Sequence, residues 1–210
     1  MRVFVTGAAG FIGSGVVPDL IAAGHTVTGL ARSDANVETL KRMGADVLRG
    51  SLEDIDSLKR GSAEADGVIH LAFIHDFAKF AENGQIDKRA IEAMGETLIG
   101  TNKPLVVTSG VGLLAPGRLS TEEDVARISE SIPRVSENAV LPFATRGVRV
   151  SAVRLPQVHG ADGKAGFVGY VHQIAQAKGV SAYIGDGSNR WAAAHRSDVA
   201  PVYRLAMEKG

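Results

Sequence analysis

The 210-residue chain is 45% hydrophobic and 22% charged, an ordinary globular composition with enough length for one sizeable core. Lys plus Arg and Asp plus Glu balance at 23 each, so no net field draws the chain to nucleic acid or to an anionic membrane, and a small neutral partner fits better. Cysteine is absent, which excludes disulfides and thiolate chemistry, and no apolar run approaches the roughly 18 residues needed to span a bilayer. The N-terminus "MRVFVTG" carries no cleavage-site pattern, and the expectation is a cytoplasmic, soluble protein.

In chain order, "RVFVTG" predicts a strand and "GSGVVPDLIAAGH" a helix closed by Gly24. "TVTGLA" predicts a second strand, "NVETLKRMGA" a helix, "DVLRGS" a strand and "LEDIDSLKRGSAEA" a helix. "DGVIHLAF" is apolar nearly throughout, which suits a strand buried on both faces. Ile86, Ala90, Ile91, Met94 and Leu98 repeat at helical spacing, and the strand "PLVVTSG" follows. "STEED" at 120–124 predicts a helix start, and "VRVSAVRLP" one more strand. Beyond residue 156 the pattern becomes irregular and glycine-rich, as in ligand-binding loops. There "HQIAQAKG" reads as a solvated helix end, His195 as an anchor of the late segment, and Asp198 as the cap of a last helix. Trp191 either walls a pocket or covers a satellite core. Strand and helix alternate through residue 155, which predicts an α/β fold: a doubly wound parallel sheet of Rossmann type.

The stretch "TGAAGFIG" sets Gly7, Gly10 and Gly13 between a strand and a helix, with Phe11 and Ile12 between the last two glycines. Backbone N–H groups and the positive end of the helix then face a pyrophosphate that side chains would otherwise obstruct. The second strand ends in Leu30, Ala31, Arg32 and Ser33, without the acid that usually binds the ribose hydroxyls of NAD. Arg32 suits the 2′-phosphate of NADP, while Asp34 keeps NAD open and a plain solvated loop charge is the bland alternative. Residues 1–155 are thus expected to form an NAD(P)-binding domain, and residues 156–210 a substrate-edge segment that partly returns to it.

Six motifs stand in order: "TGAAGFIG", "GSLED" at 50–54, "VIHLA" at 68–72, "VVTSG" at 106–110, "VRLPQVHG" at 153–160 and "GDGSNRWAAAHRSDVA" at 185–200. With them the chain resembles the NAD(P)-dependent epimerase/dehydratase family, the extended or atypical short-chain dehydrogenases/reductases, over nearly its whole length. The resemblance implies that Ser51 and Leu52 border adenine and that Leu71 and Ala72 lie beside the ribose and pyrophosphate. It implies that Ser109 hydrogen-bonds a substrate carbonyl or hydroxyl, and that Pro156, Gln157 and Val158 pack on the nicotinamide carboxamide. His159 stands where the family often has tyrosine, and Asp87 takes the place of an asparagine on a central helix. Relatives continue into a small C-terminal lobe, so with this chain ending at "LAMEKG" the remaining substrate cover is expected from further chain or from a homodimer partner.

The family's catalytic tyrosine, followed four residues later by lysine, is missing where this chain reads "SESIPRVSENAV". Arg134 and Glu137 fall near those positions, but an arginine cannot lose its proton at working pH. Tyr170, Tyr183 and Tyr203 all lie far downstream. His75, beside Asp76 after the fourth strand, titrates near neutrality and is the candidate proton donor, against the plain alternative of a surface histidine. No His or carboxylate group has metal-ligand spacing. The expected catalytic set is Ser109, His75 and Asp87, serving NADP-dependent hydride transfer to or from a small apolar carbonyl or alcohol. The rival expectation is a non-catalytic NADP(H)-binding sensor or interaction protein that uses nucleotide binding to shift a partner-binding surface.

Overall fold

The computed structural model describes residues 1–114, 117–127, 134–160 and 166–210. Its first half alternates strictly: β1 (Arg2–Thr6), α1 (Gly13–Ala22), β2 (Thr26–Ala31), α2 (Asp34–Arg42), β3 (Asp46–Arg49), α3 (Ile55–Glu64), β4 (Gly67–His70) and α4 (Phe80–Leu98). Then come β5 (Pro104–Gly110), α5 (Ser136–Val140), β6 (Arg149–Leu155), β7 (Gln157–His159), α6 (Gly166–Lys178), β8 (Ala193–His195) and α7 (Arg196–Lys209). Six strands form one parallel sheet in the order β3-β2-β1-β4-β5-β6. The chain therefore winds one way from β1 to β3 and the other way from β4 to β6. The crevice at that reversal, above the carboxyl ends of β1 and β4, is where such sheets take ligands.

Alternation along the strands feeds two apolar layers. Val3, Val5, Ile69 and Val106 pack with Val16, Val17 and Leu20 of α1, Leu40 of α2, and Tyr203 and Met207 of α7. Phe4, Val68, Leu105 and Val107 face the other way, onto Leu58 of α3, Ile91, Met94 and Leu98 of α4, and Val140 of α5. The stripe read in "QIDKRAIEAMGETLIG" is this buried face of α4. Short polar side chains start two of the helices: Ser33 accepts from the Asn36 N–H at 3.3 Å, and Asp54 from the Ser57 N–H at 3.2 Å.

Three expectations change. "STEED" starts no helix: Asp124 folds back to accept from the Thr121 N–H at 2.8 Å and pairs with Arg118, making a turn. The late segment is more regular than its glycines suggest, with α6 and α7 spanning 13 and 14 residues. The cap of α7 is His195 rather than Asp198, since the His195 ring accepts from the Ser197 N–H at 3.3 Å. Ring position makes the difference: Asp198 lies inside the first turn, where its charge meets the helix dipole instead. α7 returns to the main sheet, whereas β7 and β8 form a separate two-stranded parallel ribbon. Among the described residues no helix is long and apolar enough to cross a membrane.

Candidate active site

The glycine loop is shaped by contact as much as by conformation. Gly7 has φ +66°, and a Cβ there would stand 2.7 Å from the Ala72 nitrogen and 2.9 Å from the Leu71 carbonyl carbon. A Cβ at Gly13 would stand 2.3 Å from the Ala8 oxygen and 2.4 Å from that of Gly7. Any side chain at either place must displace backbone, so the loop closes tightly against the end of β4. The first turn of α1 has no side-chain cap and no acidic residue, leaving its N–H groups and positive dipole end for an external anion. Arg196 leans over this mouth, its guanidinium carbon 5.0 Å from the Phe11 ring centre and its Nη1 donating to Ser14 Oγ at 3.0 Å. The sequence reading passed over Arg196 because 182 residues separate it from Ser14.

At the β2 end of the crevice Arg32 is exposed and makes no ion pair among the described residues. Asp34, two residues on, pairs with Arg49 across to β3 at the surface. Ser33 is spent on the cap of α2, Ser51 Oγ accepts from the Glu53 N–H at 3.3 Å, and Leu52 packs into the core. Leu71 and Ala72 run beside Gly7, and the Leu71 N–H donates to the Thr6 oxygen at 3.2 Å. Val158 is buried beside Gly166, whose Cβ position lies 3.6 Å from Phe11, so this strand borders the glycine loop too. Pro156 precedes Gln157, whose N–H donates to the Ala192 oxygen at 2.9 Å in the β7–β8 ribbon. His159 stacks edge-on against its register partner His195, with ring centres 5.4 Å apart.

A buried polar chain crosses beneath the crevice. Thr6 and His70 end neighbouring strands in register, and Thr6 Oγ1 lies 2.7 Å from His70 Nδ1. Thr6 Oγ1 also accepts from the Ala72 N–H at 3.3 Å. His70 Nε2 then donates to Asp87 Oδ1 at 2.9 Å. From the other side Arg134 Nε donates to Ser136 Oγ at 3.1 Å, and Ser136 donates to Asp87 Oδ2 at 2.6 Å. Asp87 is the common acceptor of both arms.

The β5 edge carries the remaining polar groups. Ser109 stands opposite Arg154 in the β5–β6 register. Arg154 grips Glu137 of α5 through Nε at 3.0 Å and Nη2 at 2.8 Å, and it also donates to the carbonyls of Thr121, Glu122 and Asp124. Burial pushes the Glu137 carboxyl up, but the Arg154 hydrogen bonds, helped by Ser109 and by the charge of Arg134, outweigh it and hold the acid below its ordinary range. The Ser109 hydroxyl faces this carboxylate without hydrogen-bonding geometry, and it is buried with no partner among the described residues.

Arg134 lies between these groups and the loop after β4. Its guanidinium carbon sits 4.4 Å from the centre of the Phe73 ring, and Nη2 donates to the Thr108 carbonyl at 2.9 Å. His75 packs on the same Phe73, ring centres 5.2 Å apart. Partial burial, then the charge of Arg134, lower the His75 pKa from 6.5, which favours the neutral ring. The crevice thus brings His75, Arg134 and the β5 edge together, while Asp87 lies below, occupied by His70 and Ser136.

Sequence distance misleads about Tyr203. Its hydroxyl lies 2.8 Å from Thr108 Oγ1, one residue from Ser109, but on the α7 face of the sheet. Thr108 donates to the His70 carbonyl at 2.8 Å, so the phenol donates to Thr108. Burial raises the pKa of this phenol, and it remains protonated. The position four before Glu137 lies outside the described residues, as does all of "SESIP" at 129–133.

Comparison with known proteins gives the lineage of this arrangement. The model of the NAD dependent epimerase/dehydratase family matches residues 3–118. An uncharacterized protein of Schizosaccharomyces pombe is 50% identical across the whole chain, which covers 71% of that protein, and one of Saccharomyces cerevisiae is 47% identical, with 72% covered. Among solved structures, the UDP-glucose 4-epimerase of Thermotoga maritima with UDP-glucose superposes with a TM-score of 0.80 at 25% identity, over 100% of this chain and 74% of the epimerase.

Proposed function

Because the chain belongs to the NAD dependent epimerase/dehydratase family, we propose that it is an NADP(H)-dependent oxidoreductase for a small apolar carbonyl or alcohol. The observation that carries the nucleotide reading is the uncapped, acid-free start of α1, whose N–H groups are left for an anion, behind a glycine loop that packs so tightly at Gly7 and Gly13 that no side chain stands over it. Gly10, Phe11 and Ile12 complete this loop, and Arg196 adds a cation at its mouth. Leu71 and Ala72 lie alongside. Ser51 and Leu52 border the adenine, and Pro156 and Val158 line the nicotinamide end. Arg32, exposed and in no ion pair among the described residues, takes the 2′-phosphate.

When bound, the nicotinamide supplies or takes up the hydride. Ser109 orients the substrate oxygen with a hydroxyl that makes no well-formed hydrogen bond among the described residues and turns from the Glu137 carboxylate to do so. His75, held neutral, accepts the proton of an alcohol in oxidation more readily than it delivers one in reduction, where water is the donor. Asp87 acts from below by fixing His70 and Ser136. Titration with NADPH, followed by oxidation assays against a panel of carbonyls with Ser109→Ala beside the parent, tests this reading. A parent that binds neither nicotinamide nucleotide at millimolar concentration refutes it. The second reading, an NADP(H) sensor without turnover, draws on the lack of a phenol beside Ser109 among the described residues. It predicts tight nucleotide binding and no oxidation with any carbonyl.

A further inference from the structure

We propose that Arg134 serves this site as its electrophile, donating together with the Ser109 hydroxyl to the oxygen of the carbonyl substrate. The inference rests on the oxidoreductase reading above and adds to it a residue for the role left open by the missing phenol. Three contacts fix the guanidinium: Nε on Ser136, Nη2 on the Thr108 carbonyl, and the Phe73 ring beneath it at 4.4 Å. They use two of the five N–H donors of an arginine, and the Nη1 pair takes no acceptor among the described residues. Arg134 bonds the carbonyl of Thr108, and the next residue carries the buried, unpartnered hydroxyl of Ser109. Arg134 and Ser109 are thus tied to consecutive positions at the carboxyl edge of β5, the guanidinium on the Thr108 carbonyl and the Ser109 hydroxyl buried facing the Glu137 carboxylate.

The surrounding charges suit an oxygen that becomes negative only in passing. Arg154 is matched by Glu137, and Arg134 is linked to Asp87 through Ser136, so the resting site is balanced. A substrate that arrives neutral meets donors already oriented, which is where electrostatic stabilisation is strongest. In reduction a hydride, which a bound reduced nicotinamide would supply on becoming oxidised, adds to the carbonyl carbon while the C=O π pair moves onto oxygen. The alkoxide is held by the Arg134 N–H and Ser109 O–H groups and takes a proton from water, giving the alcohol and releasing hydroxide to solvent. Arg134 keeps its proton throughout, as an arginine must.

The test uses isobutyramide, a carbonyl that hydride does not reduce, titrated into the NADPH-loaded protein and followed by nucleotide fluorescence. Arg134→Gln is expected to weaken amide binding about ten-fold or more while leaving the NADPH dissociation constant unchanged, and Arg134→Lys to lose less. In the parent, bound amide should also protect Arg134 from phenylglyoxal, read by mass spectrometry of its peptide, a measurement that needs no variant to fold. NADPH binding with equal amide affinity in parent and Arg134→Gln overturns the proposal alone, as does a loaded parent that binds no amide or gains no protection. A parent that fails to bind NADPH overturns the oxidoreductase reading first and this inference with it.

Discussion

Replacing Glu137 by Gln isolates the ion pair that closes the β5–β6 edge. The carboxylate side chain is 5% exposed and that of Arg154 18%, and their two hydrogen bonds measure 3.0 and 2.8 Å. The amide keeps the shape but not the charge, and Arg154 is left facing one acceptor and one N–H group. Breaking one side of a buried pair costs about 3–5 kcal/mol; the partial exposure of Arg154 and its three carbonyl acceptors place this case near the lower end, about 3 kcal/mol. For a chain of this size that is a melting decrease of about 6–12 °C. The pH dependence carries a definite sign. Glu137 has a folded pKa below its ordinary value of 4.5, so its contribution is fully present above about pH 4.5 and is lost as pH falls through the folded value. Urea unfolding of parent and variant at pH 7 and at about pH 3.5 should therefore give a large gap that shrinks in acid, with the other carboxylates cancelling in the difference. A gap below about 1 kcal/mol at pH 7, or one that stays constant into acid, would refute the argument that this pair is a buried, charged contact.

Gly13→Ala should raise the NADPH dissociation constant at least about ten-fold and cost about 1–3 kcal/mol of stability, because its Cβ would lie 2.3 Å from the Ala8 oxygen; fluorescence titration and urea unfolding measure the two. Arg32→Ala should weaken NADPH about ten-fold or more and leave NADH nearly unaffected, and equal losses for both nucleotides would remove the phosphate assignment. Tyr203→Phe should cost about 1 kcal/mol in urea, the worth of one buried hydrogen bond to Thr108, with unchanged nucleotide affinity.

The sheet and its helices were legible because their signals are local. Val3, Phe4 and Val5 alternate between two apolar layers, and the Ile86 to Leu98 stripe recurs at helical spacing, so each segment names its own buried face. The late segment was not legible in the same way. Gly179, Gly185 and Gly187 all have positive φ and punctuate the loop between α6 and β8, which made the whole stretch read as irregular. α7 nevertheless buries Val199, Ala200, Tyr203 and Met207, a periodic apolar face that the glycine count obscured. At the site, the glycine loop declares itself in eight consecutive residues, whereas Arg196 reaches it from far along the chain, brought close only by the return of α7.

The buried chain makes Asp87 the point where two arms of the site meet. Thr6 accepts from the Ala72 N–H beside Gly7 and hydrogen-bonds His70, while Arg134 at the substrate end donates to Ser136, and both arms finish on Asp87. An asparagine at position 87 would offer one acceptor oxygen where two donors now converge. Its amide N–H groups would then oppose either His70 or Ser136, so a substitution that barely changes volume should loosen Arg134 before it loosens the fold. The acid at this position belongs with the arginine: the one supplies the fixed negative end that keeps the other aimed.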